Sequence, residues 1–130
     1  KIGKNVVIRP SVKITYPWKL TLGDYAWVGD DAVLYTLGEI TIGANSVVSQ
    51  KCYLCTGSHD FMSQHFDITA SPIVIGEKCW LATDVFVAPG VSVGDGTVVG
   101  ARSSVFKSLP ANKICRGNPA VVIRERVETD

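Results

Sequence analysis

Residues 75–105, Ile75-Gly76-Glu77-Lys78-Cys79-Trp80-Leu81-Ala82-Thr83-Asp84-Val85-Phe86-Val87-Ala88-Pro89-Gly90-Val91-Ser92-Val93-Gly94-Asp95-Gly96-Thr97-Val98-Val99-Gly100-Ala101-Arg102-Ser103-Ser104-Val105, decide how the chain folds. Every sixth residue, from Ile75 through Leu81, Val87, Val93 and Val99 to Val105, is aliphatic. The position after each is small (Gly76, Ala82, Ala88, Gly94, Gly100), with Phe106 as the exception. Two places before each stand Ile73, Cys79, Val85, Val91, Thr97 and Ser103, mostly small or β-branched. A period of six matches neither the 3.6 of a helix nor the two of a simple strand. It matches a coil with short flat faces, whose aliphatic residue points inward and whose small residue turns the corner. Repeats of this kind stack as a parallel β-helix, each rung covering the open face of the last.

The same period runs towards the N-terminus. Ile2, Ile8 and Ile14 form one triplet, Leu22, Val28 and Leu34 a second, and Ile42, Val48 and Leu54 a third. With Ile75/Leu81/Val87 and Val93/Val99/Val105 that makes five triplets, hence a triangular prism of about five rungs. The breaks in the period carry the functional information. Ile14 to Leu22 is eight residues, Leu34 to Ile42 is eight, and Leu54 to Ile75 is twenty-one. All three insertions fall between the third hexad of one rung and the first of the next, so they collect on one edge of the prism. Loops gathered on one side of a rigid scaffold are where function is usually built. The longest insertion, 56–72, holds both histidines, His59 and His65, together with the apolar Phe61, Met62 and Phe66.

The period fails at Ser108-Leu109-Pro110, and Gly117-Asn118-Pro119 is a turn signal. The expected organisation is a β-helix over 1–107 and a C-terminal cap and tail of the same domain over 108–130, formed by a short helix or strand. The 130 residues suffice for one domain with a real core. They contain no apolar run long enough to span a membrane as a helix. Membrane contact is therefore expected only through a segment preceding Lys1.

Charge and cysteine content exclude other classes. Thirteen Lys and Arg against twelve Asp and Glu argue against nucleic acid as the partner. Residues 101–130 are mildly basic, which suits a phosphorylated ligand as well as it suits a solvated terminus. Cys52-x-x-Cys55 has metal-like spacing, but Cys52 and Cys79 occupy small inward slots and no second pair follows. The four cysteines therefore read as core residues of a cytoplasmic protein, with no metal.

With the hexads, the run Tyr53-Leu54-Cys55-Thr56-Gly57-Ser58-His59-Asp60 and the tail Gly117-Asn118-Pro119-Ala120 in view, the chain resembles the hexapeptide-repeat acyltransferases. Within them it is most similar to colanic-acid-type polysaccharide and maltose or xenobiotic O-acetyltransferases. The resemblance implies an all-β fold, a left-handed parallel β-helix. The left hand comes from the family alone, because parallel crossovers are ordinarily right-handed. It also implies a homotrimer with acetyl-CoA, as co-substrate, lying between subunits.

By that resemblance His59 is the catalytic base, activating a sugar hydroxyl that is a poor nucleophile at neutral pH. Trp80 lies beside the thioester, Thr83 and Ala101 line the pantetheine arm, Lys107 meets the phosphates and Arg124 the adenosine end. Phe106 and Val121 stand where relatives carry threonine and arginine, which leaves Arg116 or Arg126 as alternative phosphate contacts. Trp27, Asp30 and Asp31 are candidates for the acceptor side. Asp60 either orients the imidazole or caps a turn, and the turn is the expected role; His65 is expected on the loop surface. Two other classes share the fold. A γ-type carbonic anhydrase needs three zinc-binding histidines, and the chain has two. An ice binder needs flat rows of threonine, and Lys51, Glu77, Asp84 and Asp95 make none. A non-sugar hydroxyl as acceptor and a catalytically silent relative are the remaining alternatives.

Overall fold

The computed structural model describes residues 1–127 and contains, apart from a single 3-10 turn at Pro17–Lys19, only strands among its regular elements. They wind into a left-handed parallel β-helix of three flat faces. The first face stacks Leu20–Leu22, Ile40–Ile42, Ile73–Ile75 and Ser92–Val93, with Ile2 bridged beneath Leu22 and Leu109 beyond Val93. The second stacks Val7–Ile8, Trp27–Val28, Val47–Val48, Trp80–Leu81, Val98–Val99 and Lys113–Gly117. The third stacks Lys13–Ile14, Val33–Tyr35, Tyr53–Cys55, Phe86–Val87 and Ser104–Val105.

The hexad aliphatics are in perfect register. Ile42 lies between Leu22 and Ile75, Val48 between Val28 and Leu81, and Leu54 between Leu34 and Val87. All are buried from Leu22 to Val105, each such side chain contributing about 1.5–3 kcal/mol over an exposed one. Ile8 and Ile14 are half-buried and Ile2 exposed, the described first rung packing on the second. The ladder also runs past residue 107. Leu109 pairs with Val93 and Cys115 with Val99, so a partial sixth rung begins after a shortened, four-residue step from Val105.

Most corners that carry no insertion follow one rule, Ser11 and Ser108 being the departures. The third residue after the aliphatic adopts a left-handed conformation, with φ of 55° at Asn5, 63° at Tyr25, 60° at Asn45, 62° at Lys51, 59° at Asp84 and 60° at Arg102. This conformation costs an ordinary L-residue about 1 kcal/mol or more. A hydrogen bond to the rung below offsets it: Tyr25 donates its N–H to Lys4, Asn45 to Asp24, Lys51 to Asp30, Asp84 to Gln50 and Arg102 to Thr83. Buried hydroxyls satisfy the remaining corner groups. Ser46 donates to the Gly76 carbonyl and accepts from the Cys79 N–H, and Thr56 donates to the Tyr35 carbonyl and accepts from the Gly38 N–H.

All three insertions leave the prism at one edge, between the third and first faces, as the period break predicts. The longest forms a hairpin in which Gly57–His59 pairs antiparallel with Ile68–Ala70, His59 opposite Ile68. At the other end, Ala120–Glu125 turns back antiparallel on Lys113–Gly117 and borders the second face. Of the helix or strand expected in the C-terminal segment, the structure forms a strand.

Candidate active site

The hairpin projects His59 from the third edge, the one that collects the insertions. Its tip, residues 60–67, is closed by its own hydrogen bonds. The Asp60 N–H donates to the Asp67 carbonyl at 2.8 Å. Ser63 Oγ donates to the Asp60 carbonyl and accepts from the Asp67 N–H, both at 2.8 Å. Asp60 Oδ1 accepts from the Met62 N–H at 3.0 Å, so this carboxylate caps the turn, as expected of it. His65 is exposed on the loop surface, also as expected.

His59 Nδ1 lies 3.0 Å from the Phe66 carbonyl oxygen. A carbonyl only accepts, so in this contact Nδ1 carries the proton, and in the neutral imidazole Nε2 then keeps its lone pair. The Phe66 ring stacks on the imidazole, with centroids 4.2 Å apart and planes 16° from parallel. An exposed imidazole with Nε2 unprotonated is suited to removing a proton from a hydroxyl.

The other expected site residues lie on different parts of the prism. Trp80 stands outward on the second face, half exposed, its indole N–H donating to Ser49 Oγ at 2.9 Å. The outward column there runs Val7, Trp27, Val47, Trp80, Val98 and Ile114, and Arg124 follows opposite Ile114. Trp80 and Arg124 are therefore three strand spacings apart, roughly 14 Å. Thr83 and Ala101 occupy equivalent places on successive rungs at the second edge, between the second and third faces, with Asp30 further down the same column. Asp30 receives Arg9 Nε at 3.2 Å and Ser11 Oγ at 3.3 Å, and Asp31 follows at a left-handed corner with its N–H donating to Ser11. Lys107 is exposed at the third edge, two residues after Val105.

One chain therefore does not bring these groups together. His59 and Lys107 lie at the third edge, Thr83, Ala101, Asp30 and Asp31 at the second, and Trp27, Trp80 and Arg124 on the second face. A concavity of about 280 Å³ lies elsewhere, at the first edge, lined by Glu77, Lys78, Asp95, Gly96, Asn112 and Arg126. Arg126 spans it by donating Nη1 to the carbonyls of Lys78 and Gly96, both at 3.0 Å. Phe66 and Ser49 are the side-chain partners that sequence reading does not find. Both contacts join residues whose pairing is set by hairpin or rung register.

Residues 72–107 match the family model described as bacterial transferase hexapeptide, six repeats. Over all 130 residues the chain is 88% identical to a protein of Escherichia coli K12 provisionally named as a colanic acid biosynthesis acetyltransferase, spanning 71% of that protein's length. The chain belongs to the hexapeptide-repeat acetyltransferases. Solved members superimpose closely. A maltose O-acetyltransferase of Clostridium difficile matches with a TM-score of 0.90 at 27% identity, over 97% of this chain and 69% of its own. A hexapeptide-repeat acetyltransferase of Vibrio cholerae, solved with acetyl-CoA, matches at 0.92 and 25% identity, over 97% of this chain and 70% of its own. As a member of the family, this chain is an acyl-transferring enzyme.

Proposed function

We propose that this acetyltransferase moves the acetyl group of acetyl-CoA to a hydroxyl of a sugar or polysaccharide precursor, with His59 as general base. The observation that carries the reading is the Nδ1 contact to the Phe66 carbonyl, which leaves Nε2 of an exposed imidazole free to accept a proton. The names of the similar proteins, colanic acid biosynthesis and maltose O-acetyltransferase, point to the acceptor class. The complex of the Vibrio cholerae relative with acetyl-CoA points to the donor.

In this reading Nε2 takes the hydroxyl proton as the oxygen attacks the thioester carbonyl carbon. The carbon–sulfur bond then breaks, the imidazolium returns the proton to the departing CoA thiolate, and the acetyl ester leaves. No metal takes part. Trp80 borders the thioester end, while the small corner side chains at Thr83 and Ala101 let the pantetheine arm approach the backbone. Lys107 and Arg124 supply positive charge for the phosphates and the adenosine end. Trp27, Asp30 and Asp31 face the acceptor. Because these groups occupy two edges and a face of one prism, the working site is formed between neighbouring subunits of a homotrimer. Four free cysteines and a CoA donor suit the cytoplasm.

The test is release of the free CoA thiol from acetyl-CoA in the presence of a panel of sugar acceptors. His59→Ala is expected to lower turnover by about 10²–10⁴, the worth of a general base, with the assembly mass unchanged by light scattering. Full turnover in the alanine variant would overturn the mechanism.

A further inference from the structure

One residue holds the His59 imidazole by two different contacts. The Phe66 carbonyl oxygen meets Nδ1 at 3.0 Å, and the Phe66 ring stacks on the imidazole at 4.2 Å. Phe66 does this from a left-handed backbone conformation, φ +52°. Bulky residues rarely adopt that region, and strain of this kind persists where the surroundings over-determine it. Here they do. The Phe66 N–H donates to the Ser63 carbonyl at 3.3 Å, and Ser63 is in turn fixed to Asp60 and Asp67.

The ring does not serve the core. It is 54% exposed, and its stacking partner is the imidazole. A half-exposed aromatic at a strained position, with its ring and carbonyl both on one histidine, is explained by what it does to that histidine.

We propose that Phe66 is a positioning residue for His59: the carbonyl keeps the proton on Nδ1 and the stacked ring fixes the plane of the imidazole, so that Nε2 is presented unprotonated to the acceptor hydroxyl. This rests on the reading of His59 as the base. The backbone carbonyl alone leaves the ring free to rock about its side-chain torsions and to lose the Nδ1 contact part of the time, and the stack removes that freedom. A misplacement of about 1 Å in a reacting group costs up to 100-fold.

The test compares Phe66→Leu with Phe66→Tyr in the full chain. Leucine keeps the carbonyl, the backbone strain and an apolar side chain but removes the aromatic face; tyrosine keeps the face. Phe66→Leu is expected to lower kcat about 10- to 100-fold with KM for acetyl-CoA unchanged, and Phe66→Tyr to remain near wild type. Long-range proton–nitrogen NMR supplies a readout that needs no turnover. With His65→Gln as background, His59 is the single histidine and its ring signals are directly assignable. The wild-type side chain is expected in the Nδ1–H tautomer, Phe66→Tyr likewise, and Phe66→Leu in a mixture of the two. Wild-type kcat together with an unchanged tautomer in Phe66→Leu would overturn the proposal. A loss that Phe66→Tyr fails to restore would overturn it as well, by showing a purely structural role. If His59→Ala keeps full activity while the tautomer still shifts in Phe66→Leu, the base assignment fails and the positioning contact stands.

Discussion

The indole N–H of Trp80 donates to Ser49 Oγ at 2.9 Å, reaching across one rung from the second face to the second edge. Ser49 is nearly buried and Trp80 about half exposed, so the bond ties a mobile-sized aromatic to a fixed corner. Ser49→Ala is expected to cost under about 1 kcal/mol in stability, since water can reach the freed indole N–H. The larger effect falls on the donor site: KM for acetyl-CoA should rise several-fold while kcat changes little. Steady-state kinetics reads the split, and an unchanged KM would show that the indole orientation is irrelevant to the donor.

The prism was legible because its signal is redundant. Leu22, Val28, Leu34 and their successors repeat one environment, and each inward slot demands the same kind of residue. The edge holding His59 was legible for the opposite reason, as the one place where the period was broken. What the spacing could not carry was anything set by register outside the hexads. The handedness of the coil leaves a period of six unchanged whichever way it winds. The partial sixth rung was hidden by the four-residue step from Val105 to Leu109 and by a cysteine, Cys115, in an aliphatic slot. The contact of Phe66 with His59 depends on a non-periodic hairpin tip, where no repeat announces which residues meet.

Rung spacing makes a sharp prediction at Gly43. A Cβ there would lie 2.5 Å from the Gly76 carbonyl carbon and 2.6 Å from its oxygen. Both are backbone atoms held by the ladder, which cannot yield locally. Gly43→Ala is expected to destabilise by about 1–3 kcal/mol, or roughly 5–15 °C in thermal midpoint. Gly38→Ala is the control, because its Cβ would meet Ser71 no closer than 3.3 Å at a loop that can shift. Calorimetry on the two variants reads the difference, and equal midpoints would mean that the rungs part more easily than the ladder implies.

The thiols give a pH dependence with a definite sign. Burial pushes Cys52 up from 9.0 to about 11 and raises Cys79 and Cys115 as well. The folded chain therefore holds these protons more tightly than the unfolded one. The stabilisation is fully present below about pH 9 and is lost as pH rises towards 11. Thermal midpoints are expected to fall across that window, and Cys52→Ala should make the fall shallower. Thiol labelling near pH 8 offers a second check: half-buried Cys55 should react in the native protein, and all four cysteines only after denaturation. Rapid labelling of the native Cys52 thiol would contradict the closed packing of the prism.

Arg124 and Arg126, two residues apart, are expected to fail in different ways. Arg126 already spends Nη1 on the carbonyls of Lys78 and Gly96, tying the last strand to the first edge. Arg126→Ala should therefore lower stability by about 1–2 kcal/mol and leave KM for acetyl-CoA unchanged. Arg124 is exposed opposite Ile114, in the outward column that begins below Trp27 and passes through Trp80. Arg124→Ala should leave the thermal midpoint within a degree or two and raise KM for acetyl-CoA roughly three- to tenfold, an effect on the order of 1 kcal/mol that added salt weakens. The two readouts, melting and donor KM, separate the roles because neither substitution removes buried apolar surface. The reverse pattern, with KM moved by Arg126→Ala alone, would place the donor phosphates at the first-edge concavity and detach them from the column that holds Trp80.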